Sequence, residues 1–149
     1  MGERDRECEE LEHEVKAAEA QQPVQYRGDG EAILIVDDEA SIRDVAGDIL
    51  EKNGYMVILA ENGVEAISLY EKNRKGIDAV LIDIMMPVMD GQSCIRELRK
   101  INPNIKVIAV SGLAEKVELT KNSCFHAFLQ KPFTEDTLMR TLYEVLSAE

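Results

Sequence analysis

The chain has 149 residues, 45% of them hydrophobic and 31% charged, which is enough for one domain with a sizeable core and foreign to collagen-like, mucin-like or wholly disordered chains. Seventeen basic residues against 29 acidic ones give a formal net charge of -12, which repels phosphate backbones and anionic membrane surfaces, so direct nucleic-acid binding is not expected. The longest apolar runs, such as 32–36 and 107–110, fall far short of the roughly 20 residues that span a bilayer, and no signal-peptide pattern opens the chain; a cytoplasmic protein without membrane insertion is expected.

Residues 1–30 carry nine acidic and four basic residues and pass through Gln21-Gln22-Pro23 into Gly28-Asp29-Gly30, which predicts an acidic tail and linker ahead of a folded domain at 31–149. Cys8, Leu11, Val15 and Ala18 are spaced three, four and three apart and would line a narrow seam on a helix, but two heptads are too few for a coiled coil. A solvated charged helix is the expectation there; a short helix that makes a homodimer or docks a partner is the alternative. Cys8, Cys94 and Cys124 are odd in number and far apart, so they read as reduced, mostly structural thiols.

From residue 31 onward, short apolar runs rich in β-branched residues alternate with segments of helical spacing. The strand candidates are 32–37, 55–60, 79–83, 105–110 and 127–130, and their continuity predicts strands buried on both faces of a parallel sheet. Ile42, Val45, Ala46, Ile49 and Leu50 form one helical stripe, Cys94, Ile95, Leu98 and Ile101 another, and Leu138, Leu142, Val145 and Leu146 a third. The Ser41–Asp44 and Asn62–Glu65 spacings suit helix starts. A helix over 114–122 is poorly specified, with only Val117 and Leu119 as a broken apolar pattern. Right-handed crossovers then give a five-stranded, doubly wound α/β sheet with helices on both faces, and such sheets bind ligands outside the carboxyl ends of their strands.

The polar residues at those ends form a consistent set. Asp37 and Asp38 close the first strand, Asp83 the third and Ser111 the fourth, and Lys131 follows the fifth. Converging carboxylates repel one another unless a cation shares the site. An all-oxygen donor set suits Mg²⁺, whereas zinc would favour His or Cys ligands. His13 and His126 fall elsewhere in the pattern and read as ordinary surface or loop histidines. A site of this kind suits a phosphoryl group, with a carboxylate as nucleophile and the Lys131 ammonium and Ser111 hydroxyl facing its oxygens.

Ile33-Leu34-Ile35-Val36-Asp37-Asp38-Glu39, Leu81-Ile82-Asp83-Ile84-Met85-Met86-Pro87-Val88-Met89-Asp90-Gly91, Ala109-Val110-Ser111-Gly112 and Gln130-Lys131-Pro132-Phe133 together resemble the CheY-like receiver domain of two-component response regulators. The resemblance covers residues 31–149 and implies a flavodoxin-like sheet of strand order 2-1-3-4-5. It implies that Asp83 accepts a phosphoryl group from the phosphohistidine of a sensor histidine kinase or a histidine phosphotransfer protein. It further implies Mg²⁺ held by Asp38, Asp83 and the Met85 backbone carbonyl, with Asp37 acting through water. Lys131 would pair first with Asp83 and then with the phosphoryl group, and its bond to Pro132 would be cis. Ser111 would move toward the phosphoryl group, and Phe128 would turn inward behind it. Packing of Phe128 as plain core is equally compatible with its neighbours Ala127 and Leu129. The Ser111-Gly112-Leu113 and Phe128-to-Phe133 wording is most similar to receivers attached to hybrid sensor kinases.

The pattern departs from the family where a Gly-Ala pair before the fifth strand is replaced by Cys124-Phe125. Met85 and Leu113 occupy the two positions that tune the phosphoryl lifetime in the family, and both are bulky and apolar, so slow self-dephosphorylation is expected. With no sequence after Glu149, a module without attached output domain is expected, one that modifies itself and turns over no separate substrate. The alternatives are a Mg²⁺-dependent phosphohydrolase with an aspartyl-phosphate intermediate, though Asp83-Ile84-Met85 lacks its second acid, and a receiver-like binding module that works without phosphorylation. A nucleotide-binding domain is disfavoured because Val36-Asp37-Asp38-Glu39 replaces a glycine-rich turn.

Overall fold

The computed structural model describes residues 26–73, 75–112 and 125–148. The N-terminal seam, His13, Leu113, Cys124 and the expected helix over 114–122 lie outside the described residues. In chain order the elements are β1 (Ala32–Val36), α1 (Ala40–Lys52), β2 (Met56–Ala60), α2 (Gly63–Asn73), β3 (Ile77–Asp83), α3 (Gly91–Ile101), β4 (Val107–Ser111), β5 (Ala127–Gln130) and α4 (Glu135–Ser147). The strands form one sheet of order β2-β1-β3-β4-β5 in which every pair is parallel. No helix among the described residues is long and apolar enough to cross a membrane.

Strand alternation divides the core into two layers. Leu34 and Val36 of β1 and Val80 and Ile82 of β3 pack with Ala66 and Tyr70 of α2 and Cys94, Ile95 and Leu98 of α3. Ile33, Ile35, Ala79 and Leu81 point the other way, onto Ala46 and Leu50 of α1 and Leu138, Leu142 and Val145 of α4. Both faces of the central strands are therefore apolar, which is why they read as continuous hydrophobic runs. β2 is different: Met56 and Leu59 are exposed, as its place at the sheet edge allows, so burial on both faces holds for the central strands alone.

Strand limits move where a polar residue or a turn overrides hydrophobicity. β3 starts at Ile77, earlier than its apolar run, because a register shift beside Ala32 accommodates the exposed Asp78, whose carboxylate accepts the Ala32 N–H at 2.9 Å. Ile105 is buried but belongs to a turn, its N–H donating to the Asn102 carbonyl at 3.1 Å, so β4 begins at Val107 and runs on to Ser111. Ser41 is not a helix cap. α1 starts at Ala40 behind Glu39, whose carbonyl accepts from Ile42 and Arg43 while its side chain caps nothing. At α2 the expected pairing is present in shifted form: Asn62 Oδ1 accepts the Glu65 N–H at 2.8 Å, and Glu65 reaches back to the N–H of Glu61 at 2.8 Å.

The chain entering β1 is packed as well. The Tyr26 ring meets Tyr143 of α4 edge-on at 5.5 Å, and the Gly28 and Gly30 N–H groups donate to Asn53 and Gly54. Gly54 has φ +98, and a Cβ there would lie 2.5 Å from the Gly28 carbonyl oxygen, so this turn requires glycine twice over.

Candidate functional site

Because all five strands run the same way, their carboxyl ends share one edge, and the sheet ladder itself fixes the backbone of the polar residues there. The Asp37 N–H donates to the Ala60 carbonyl at 3.2 Å, the Ile84 N–H after Asp83 to Val110 at 3.0 Å, and the Lys131 N–H to Ser111 at 2.8 Å. Asp37, Asp83 and Ser111 are the buried polar side chains among the described residues, at 3%, 4% and 1% exposure. The other buried side chains among the described residues belong to the hydrophobic core.

Lys131 ties the carboxylates together. Its Nζ lies 3.1 Å from Asp37 Oδ2, 3.2 Å from Asp83 Oδ2 and 3.3 Å from Glu39 Oε1. The remaining oxygens are occupied from the main chain: Asp37 Oδ1 accepts the Glu39 N–H at 2.9 Å, and Asp83 Oδ1 accepts the Met85 N–H at 3.1 Å. Arg43 Nη1, one turn into α1, donates to the Asp37 carbonyl at 2.8 Å and fixes the β1–α1 corner. The Lys131–Pro132 bond is cis, as expected. Gly91 lets α3 start directly against β3, for a Cβ there would sit 2.6 Å from both the Asp83 carbonyl oxygen and Ile84 Cα.

Burial sets the electrostatics. Desolvation, reinforced by the neighbouring Asp37, pushes the Asp83 carboxyl up to about 6, while Lys131 and the Met85 N–H hold it back. For Lys131 burial acts downward, but the two buried aspartates outweigh it and hold the ammonium charged well above the ordinary lysine value. Asp38 is exposed beside them, and Asp37, Asp38 and Asp83 each offer a carboxylate oxygen within 4.8 Å of the others. Oxygen donors without a thiol or imidazole fit a hard divalent cation such as Mg²⁺.

The five residues expected at the strand ends are thus brought to one edge. Met85 adjoins them and is 58% exposed. Phe128 is half-buried, packed against the α2–α3 core layer and against Phe125 at a ring distance of 6.3 Å. His126 is at the opposite end of the sheet, where its Nδ1 accepts the Val107 N–H at 3.2 Å, and burial, with Arg99 and Lys106 nearby, lowers its proton affinity. Cys94 is buried with its thiol pushed up to about 12 by desolvation, which suits a structural role. Glu39 and Arg43 are participants that motif reasoning did not assign. The only trace of Glu39 was a third acidic residue in the Asp37-Asp38-Glu39 run, and Arg43 left none.

A parallel 2-1-3-4-5 sheet with an acidic cluster and a lysine at its carboxyl edge is the architecture of a receiver domain. The family described as "Response regulator receiver domain" matches residues 33–143, and the chain belongs to that family, whose members serve two-component signal transduction. It is 40% identical over 120 residues to the sensor kinase CckA of Brucella abortus, a match covering 78% of this chain and 13% of that kinase. It is 38% identical over 120 residues to the chemotaxis protein CheY of Thermotoga maritima, covering 78% of this chain and 98% of that protein. Among solved structures it is similar to the receiver domain of a Pseudomonas aeruginosa sensor histidine kinase with a magnesium ion in its active site cleft (TM-score 0.73, 31% identity, 80% and 99% of the two chains). It is also similar to a CheX–CheY–BeF3–Mg complex from Borrelia burgdorferi (TM-score 0.74, 28% identity, 81% and 92% coverage). The chain therefore spans a small part of the kinase and nearly all of the chemotaxis protein.

Proposed function

We propose that Asp83 is the phosphoacceptor of a Mg²⁺-dependent receiver that takes its phosphoryl group from a partner phosphohistidine on a sensor histidine kinase or a histidine phosphotransfer protein. The observation that carries this reading is a buried carboxylate, held by Lys131 and within 4.8 Å of two further carboxylates, at the open end of a parallel sheet. Asp38, Asp83 and the Met85 carbonyl would hold the metal, with Asp37 acting through water. A bound Mg²⁺ supplies positive charge to the oxygens of the transferring group. Lys131 neutralises the same charge from the other side and positions Asp83 for attack. Ser111 donates its hydroxyl to the phosphoryl group, and Phe128 turns inward behind it to change the interaction face. Met85 and Leu113 shield the product from water and lengthen its life. Residues 31–149 form the receiver unit, with 1–30 as its acidic tail, and the module acts in the cytoplasm.

Intact-protein mass after incubation with phosphoramidate tests the reading. One phosphoryl adduct that requires Mg²⁺ and is lost in Asp83→Asn is expected. No adduct under any condition would overturn it in favour of a module that binds partners without phosphorylation, and multiple turnover of simple phosphoesters would favour the phosphohydrolase.

A further inference from the structure

Lys131 carries three ammonium protons and meets three carboxylates, but these partners are unlike one another. The Asp37 and Asp83 side chains are 4% and 5% exposed and sit on ladder-fixed strand ends, whereas that of Glu39 is 58% exposed on the rim. The main chain of Glu39 is fixed by its N–H bond to Asp37 Oδ1 and by the two N–H groups its carbonyl accepts. Its side-chain torsions are what remain adjustable. The lysine is thus held inward by two buried partners on ladder-fixed backbone and outward by one exposed partner that can leave. A phosphoryl group on Asp83 would bring oxygens that are strong acceptors and a charge near -2, both drawn to the same ammonium and both repelling the Glu39 carboxylate.

We propose that Glu39 is a positioning residue, an exchangeable third partner that holds Lys131 while Asp83 is unmodified and yields its place on the ammonium to the phosphoryl group. The inference rests on Asp83 being the phosphoacceptor. With phosphoramidate as donor, an Asp83 carboxylate oxygen forms the O–P bond as the P–N bond breaks, and the already protonated nitrogen leaves as ammonia with the bonding electrons. Glu39 gives and takes no proton in this step. Its negative charge opposes the anionic donor, and its contact with Lys131 has to be broken, so removing both favours the forward reaction.

The test uses the full chain with Mg²⁺ and phosphoramidate, comparing wild type, Glu39→Gln and Glu39→Asp. Adduct formation is followed by intact mass, and the Lys131 Nζ resonance by nitrogen-15 NMR before and after addition of beryllofluoride, a phosphoryl mimic. Glu39→Gln should form adduct about three- to tenfold faster, with the shorter, still charged aspartate in between. The Lys131 resonance should differ between wild type and Glu39→Gln in the unmodified state and coincide once beryllofluoride is bound. An unchanged or slower rate, or an unchanged resonance, overturns the tether. A resonance difference that persists with beryllofluoride also overturns it, because Glu39 would then stay on the lysine. A wild-type chain that takes neither phosphoryl group nor beryllofluoride overturns the phosphoacceptor reading itself and the tether with it, whereas a normal wild-type adduct beside an indifferent Glu39→Gln removes only the role of Glu39.

Discussion

Replacing Asp83 with asparagine removes a charge from a place where burial opposes it, and the protein should become more stable at neutral pH. Burial raises the Asp83 carboxyl from an ordinary 3.8 to about 6, Asp37 adds to the rise, and Lys131 opposes it. A group that binds its proton more tightly when folded stabilises the native state most below its unfolded value, and that stabilisation is lost as the pH rises through the folded value. Stability should therefore fall between about pH 4 and pH 6, and above that window the native chain carries the whole cost of an ionised, buried carboxylate. At about 1.4 kcal/mol for each tenfold change in proton affinity, the rise corresponds to at most about 3 kcal/mol at pH 7.5. The variant also weakens the bond to Lys131, which offsets part of the gain and leaves an expected advantage of about 1–2 kcal/mol. Asparagine matches the shape of the aspartate and keeps an acceptor for the Met85 N–H, so packing is not the variable. Urea unfolding with magnesium chelated, at pH 7.5 and at pH 4, reads the difference directly. Adding Mg²⁺ at ten times its Kd should then stabilise wild type by about 1.4 kcal/mol and the variant by less. A variant no more stable than wild type at pH 7.5, or equally more stable at both pH values, refutes the reasoning.

Gly91→Ala should lower stability by about 2 kcal/mol, seen as a lower urea midpoint at an unchanged slope, because its Cβ would meet the Asp83 and Ile84 backbone at 2.6 Å where no flexible side chain can yield. Met85→Asn combined with Leu113→Glu should shorten the life of the phosphorylated protein about tenfold by giving an attacking water polar neighbours; an unchanged decay of the adduct mass would place the control of lifetime elsewhere.

The central strands were legible because both their faces are buried, so hydrophobicity alone marks them. Their limits were not, since Asp78 joins β3 through a carboxylate bond to a neighbouring strand and Ile105 is buried from within a turn. The first depends on a contact between segments 46 residues apart, the second on a local turn that takes a buried residue out of the strand ladder. The same distinction divides the site. Asp37, Asp83, Ser111 and Lys131 were found by their positions at strand ends, which periodicity supplies. Glu39 belongs to the site through a side-chain contact spanning 92 residues to Lys131, and Arg43 through a bond to the Asp37 carbonyl. No sequence motif marks the first, which joins distant segments, and the second, only six residues long, joins a strand end to a helix and leaves no periodic signal. His126 shows the converse: a histidine with no chemical role in the motif pattern supplies an acceptor to the first N–H of β4.

The division of labour between backbone and side chains explains how a strained charge cluster persists in a stable fold. The Asp37, Ile84 and Lys131 N–H groups all donate to neighbouring strands, so the sheet places the site whether or not its carboxylates are favourable to it. The apolar layers on both faces supply the stability, and the repulsion between Asp37 and Asp83 is confined to side chains that a cation or a proton can relieve. Ligand binding at this edge is then favoured by relief of the electrostatic cost that Asp37 and Asp83 impose on each other, with no need to reorganise the strands. For the same reason a change in the bound group is most readily transmitted through the parts of the site outside the ladder. Among the described residues those include the side chains of Lys131 and Glu39, which face solvent at 21% and 58% exposure, and it is there that the phosphorylated and unmodified states should differ first.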